Sequence, residues 1–210
     1  MPRTRAASLL IAAFFFACGT WMILSSALGQ ARSGGRSAAS REQGLAAWQQ
    51  VYTVLTHPRC INCHTATNYP QQGDDRHRHI TNVIRGAEGK GVPGLNCASC
   101  HQESNADSTG VPGGHDWHLA PLSMRWQDAN DNILPSAAIC RSVTDRSKNG
   151  NLDGQGLLKH HEEALLVLWA WQPGRRPDGT MRTLPPLSHE EFVAATRLWV
   201  EAGTPCPPGR

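Results

Sequence analysis

The chain has 210 residues, with 20 Lys+Arg against 17 Asp+Glu and a formal charge of +3. This length suits one domain plus a targeting segment. The near balance of charge excludes a nucleic-acid binder, which needs a basic excess on one face, and local pairs such as Arg175-Arg176 read as solvated surface.

From the start, the chain carries Arg3 and Arg5 and then no charge from Ala6 to Ala31. Leu9 to Phe16 and Trp21 to Leu24 form an apolar run behind those positive residues, the pattern of an export signal. Small residues near Gly29 and Ala31 suit cleavage, whereas an uncleaved run is long enough for a membrane anchor. Cys18 suggests a lipoprotein box, but Phe15 fits it poorly. Residues 1–31 are therefore expected to be a signal peptide or N-terminal anchor, and the protein to be periplasmic. Without the two arginines Lys+Arg falls to 18 against 17. Residues 32–39 read as a flexible linker.

A helix is expected next. Ser40-Arg41-Glu42-Gln43 fits a capping box, Leu45, Trp48, Tyr52 and Leu55 recur at helical spacing, and the helix should end near His57-Pro58. Two stretches then carry the chemistry: Cys60-Ile61-Asn62-Cys63-His64 and Cys97-Ala98-Ser99-Cys100-His101. Each is a Cys-x-x-Cys-His signature for covalent haem attachment. One helical turn presents both sulfurs to the two vinyl groups on one edge of the ring, and the histidine lies under the iron as proximal ligand. A zinc site from two Cys-x-x-Cys knuckles has no use for a histidine after each second cysteine. A thioredoxin-like motif needs a β-α-β pattern that neither stretch has. Cys60, Cys63, Cys97 and Cys100 are thus read as attachment points for two haem c groups, and His64 and His101 as iron ligands.

Residues 66–96 lack long apolar runs, and seven glycines and two prolines fall between Gly86 and Gly114. Wrapped around two haems, this segment gains the apolar surface that it lacks itself. Further helices are expected over Ser136 to Thr144, over about Leu157 to Trp171, and from a second capping box at Ser188 to Gly203. No convincing strand is visible. The motifs start 37 residues apart, too close for two independent domains. The fold class expected is mainly α: a single dihaem cytochrome c domain over 40–210, with short helices and long haem-wrapping loops. The two cysteines left over, Cys140 and Cys206, are expected to pair as a disulfide, since exported thiols tend to do so.

For the sixth iron ligands, a methionine opposite histidine raises the reduction potential. Beyond residue 31 only Met124 and Met181 are available, and Met124, between Trp117 and Trp126, is preferred. For the other haem the preferred ligand is His79, with His160 as rival; which ligand serves which haem stays open.

Several stretches together resemble a known family. They are His57 to His64, Gln72 to Asp75, Gly91 to Gly94, Cys97 to Gln102, Ala120 to Met124, Trp169 to Gly174 and Gly203 to Pro207. They look like the small exported dihaem cytochromes labelled as isoquinoline 1-oxidoreductase subunits. The resemblance covers roughly residues 55–207 and implies a periplasmic electron carrier whose redox partner is a molybdenum hydroxylase. One departure is Asn151, where a second glycine would follow Asn149-Gly150. The expected function is electron transfer between an exported oxidoreductase and an acceptor. The alternatives are a dihaem peroxidase or oxidase, with His118 or His115 as acid–base group beside an open iron, and a haem-based sensor.

Overall fold

Residues 39–209 are described by a computed structural model. The expected export segment and residues 32–38 of the expected linker lie outside the described residues. Six α-helices are described: α1 (Arg41–Leu55), α2 (Pro58–Ile61), α3 (Ser136–Thr144), α4 (Gly154–Glu163), α5 (Leu165–Trp169) and α6 (His189–Glu201). Among the described residues no helix is long and apolar enough to cross a membrane.

The longest helices, α1 and α6, begin as their sequences dictate. Ser40 and Gln43 form one reciprocal cap, Ser188 and Glu191 the other, each satisfying two N–H groups that a helix start leaves without partners. The two helices pack on each other through Trp48 and Trp199, whose ring centres lie 4.9 Å apart. Both indoles are fully buried, and both N–H groups are satisfied, by Ser136 Oγ at 2.8 Å and the Pro205 carbonyl at 3.0 Å. Gly44 permits this approach, because a Cβ there would collide with Ala202 and Pro205. Helix α3 joins the same core through Ile139, Cys140 and Val143. A disulfide between Cys140 and Cys206 ties α3 to the segment after α6.

Two expectations are corrected. Four short strands exist, in two antiparallel ribbons: β1 (Gln71–Gln72) with β2 (His77–Arg78), and β3 (Gly91–Val92) with β4 (Leu95–Asn96). Two-residue ladders are too short to show alternation in sequence. The single helix expected over 157–171 is also broken, at Ala164, which takes an extended ψ of 123° between α4 and α5. Leu158 and His161 stay buried, but Leu165, expected on the same stripe, is 54% exposed. The break turns α5 away from α6, so that Leu166, Val167 and Trp169 line a cavity.

Candidate cofactor-attachment site

The two Cys-x-x-Cys-His stretches adopt the same local fold, although one lies in α2 and the other in a 3₁₀ turn over Cys97–Ser99. In the first, the N–H groups of Cys63 and His64 both donate to the Cys60 carbonyl, at 3.1 Å each. In the second, Cys100 and His101 donate to the Cys97 carbonyl at 3.2 and 2.9 Å. Each turn starts on a side-chain cap. His57 Nδ1 accepts from the Arg59 N–H, with Pro58 supplying a first-turn residue that lacks an N–H; Asn96 Oδ1 accepts from the Ser99 N–H. Both stretches therefore wind into one turn, the geometry that two thioether links to a single ring edge require.

Each histidine is then held in the same way. His64 Nδ1 donates to the Met124 carbonyl at 2.5 Å, and His101 Nδ1 donates to the Pro112 carbonyl at 2.7 Å. A carbonyl only accepts, so each Nδ1 carries the proton and each Nε2 keeps its lone pair. Burial lowers the pKa of both rings, that of His64 to about 4, so both are neutral at pH 7. Each ring also stacks on an indole: His64 on Trp126, with centres 4.3 Å apart and planes 5° from parallel, and His101 on Trp117 at 4.5 Å and 4°. A neutral imidazole, oriented from behind and offering a bare Nε2, is the state in which histidine ligates metal.

Cys60, Cys63 and His64 open onto an apolar cavity of about 500 Å³. That volume falls in the range of roughly 300–1,000 Å³ typical of small-molecule and cofactor sites. Four of the six described tryptophans line it: Trp117, Trp126, Trp169 and Trp171. Two buried donors without a protein partner, Arg59 Nε and Trp126 Nε1, belong to lining residues as well. An apolar macrocycle bearing anionic carboxylates matches such walls, and the residues fit a haem. Burial pushes the Cys60 thiol up to about 12 and the Cys63 thiol up to about 11. Among the described residues no group of three or more His, Cys, Asp or Glu is arranged to hold a metal ion by itself, so the cysteines do not converge as zinc knuckles require.

The motifs are neighbours in space. Cys97 is near enough to raise the Cys63 pKa further. Arg85, 7% exposed, lies near Cys63. Its guanidinium donates to the carbonyls of Thr65, Thr67 and Ala120. Its backbone carbonyl accepts from Gly91, at the start of the ribbon that leads into Cys97.

His79 lies against His101, with ring centres 6.0 Å apart and planes at 69°. Two imidazoles sharing one metal have ring centres roughly 6 Å apart, since each metal–nitrogen bond is about 2 Å and each ring centre lies about 1 Å behind its nitrogen. His79 Nδ1 accepts from the Thr81 N–H at 3.3 Å and lies 2.8 Å from Thr81 Oγ. Beside this pair Ile80 is 70% exposed, and Leu95, two residues before Cys97, is 37% exposed, apolar surface that a cofactor would cover.

Met124 stands beside His64 and lines the same cavity. Its carbonyl holds the back of His64, so its backbone lies on the same side of any metal at Nε2 as His64 itself. A thioether only a few bonds away cannot reach the opposite face around a macrocycle. Met124 therefore meets the first site through its carbonyl, and which haem its thioether would serve stays open. Arg59 and Arg85 were not singled out by sequence as site residues, because no local spacing links them to the motifs.

Comparison with known proteins finds no matching family model, no matching curated protein and no matching solved structure.

Proposed function

We propose that the chain is an exported dihaem c-type cytochrome that carries electrons between an oxidoreductase and an acceptor. The observation that carries this reading is the duplication of one arrangement at two places. In each, a Cys-x-x-Cys-His turn holds a neutral histidine by its Nδ1 against a carbonyl and stacks it on an indole. The haems, attached through Cys60 and Cys63 and through Cys97 and Cys100, supply one-electron chemistry at iron. The polypeptide orients His64 and His101, walls the first site with indoles, and holds a fixed positive charge at Arg85 near Cys63. The closeness of Cys63 and Cys97 supports exchange of electrons within the molecule. His79, whose ring centre lies 6.0 Å from that of His101, would hold the second iron together with His101. A molybdenum hydroxylase in the periplasm is the partner implied by the family resemblance, through a small transient contact of the kind redox encounters use.

The test is the mass and spectrum of the mature protein expressed with export and haem-attachment machinery. The expected mass gain equals two haems, with Cys97→Ala/Cys100→Ala reducing it to one. A bare chain, or zinc in place of iron, refutes the reading.

A further inference from the structure

With Met124 committed to the back of His64, the face opposite His64 needs another donor. The cavity offers one on α4. Leu157, His160, His161 and Ala164 follow the i, i+3, i+4, i+7 spacing of one helix face, and all four line the cavity that holds Cys60, Cys63 and His64. The two histidines on that face differ in what they are already doing. His161 is 5% exposed and its ring packs on Phe192 at 4.6 Å between centres. Its Nδ1 donates to Thr196 Oγ at 3.0 Å, since that hydroxyl gives its own proton to the Phe192 carbonyl. His161 is therefore a filler of the α4–α6 interface. His160 has no hydrogen bond from its ring to any described residue, and it is solvent-accessible yet deep enough among protein atoms for burial to lower its pKa. His115 and His118 also line the cavity; the His115 side chain is 63% exposed beside Glu103, while His118, its Nδ1 on the Asp116 carbonyl at 2.5 Å, keeps a bare Nε2 and is the rival that unchanged His160 variants would favour.

We infer that His160 is the sixth ligand to the iron held by His64, which makes both haems bis-histidine. This rests on the haem reading above. The break at Ala164 then has a role: it ends α4 one turn after His160 and lets α5 close the cavity wall with Leu166 and Trp169.

The experiment uses the exported, matured protein carrying both haems, in four forms: wild type, His160→Ala, His160→Met and His161→Phe. Covalent haem content by mass is read first, so that loss of attachment, which sinks the underlying haem reading, is seen separately. Optical and electron-spin spectra, carbon monoxide binding and midpoint potentials follow. His160→Ala is expected to keep two haems, lose one of the two low-spin signatures and gain one carbon monoxide site. His160→Met is expected to stay low-spin with one potential raised, because a thioether opposite histidine favours the ferrous state. His161→Phe is expected to keep both low-spin signatures. Unchanged spectra and potentials in both His160 variants, or loss of a signature in His161→Phe alone, would overturn the assignment.

Discussion

Arg85 is buried at 7% exposure with carbonyls as its side-chain partners. No carboxylate pairs with it among the described residues. Its planar fork gathers three carbonyls from segments distant in sequence, a geometry that the ammonium of lysine does not reproduce. Replacing it with methionine strands those carbonyls, each at a cost of about 1–3 kcal/mol. Arg85→Met is expected to lose at least about 3 kcal/mol in denaturant unfolding, with Arg85→Lys recovering only part. Removing a fixed positive charge near Cys63 also disfavours the reduced state, so a potentiometric titration of Arg85→Met is expected to show a lowered midpoint. None of this was legible in sequence, because an arginine among glycines and asparagines reads as surface until the loops close over it. Asn151 shows the reverse: it takes a φ of +67°, a left-handed conformation that asparagine tolerates after glycine, so the departure from the family pattern keeps the turn.

At the scale of elements, the helices with strong local signals were legible and those shaped by the cavity were not. The capping boxes at Ser40 and Ser188 mark starts found where expected, and α3 spans Ser136–Thr144 as its apolar spacing indicates. Ser188→Ala is expected to cost about 1 kcal/mol in thermal or denaturant unfolding. The Ser188 N–H and hydroxyl hold the Glu191 carboxyl below its ordinary value of 4.5. A depressed carboxylate pKa adds stability that is complete above about 4.5 and is lost as pH falls through the folded value. Acid unfolding of Glu191→Gln is therefore expected to lack a small increment that the wild type loses below that pH. The break at Ala164 escaped the sequence because alanine is a strong helix former. Its extended ψ is imposed by the turn of α5 toward the cavity.

For the whole molecule, the disulfide ties the helical core together, and haems, if attached as proposed, would supply apolar surface to the central loops. Cys140 and Cys206 are 66 residues apart, a loop whose closure is worth about 4 kcal/mol in the chain-entropy view. Cys140→Ser/Cys206→Ser is expected to lower unfolding stability by about 2–5 kcal/mol while keeping both haems by mass. The main core is built from α1, α3, α4 and α6, leaving residues 66–124 to arrange themselves around the two attachment turns.

The sequence by itself determined the two Cys-x-x-Cys-His turns, the capped helices and the cysteine pairing, because each depends on residues a few positions apart or on which cysteines remain. Only the tertiary structure decided what stands behind each histidine and which side chains share its cavity. Those partners come from segments tens of residues away, and whether a side chain faces a metal or packs a wall depends on how loops without periodicity close. Met124 and His160 are the two cases: one is a methionine whose carbonyl is used, the other a histidine whose ring is left free.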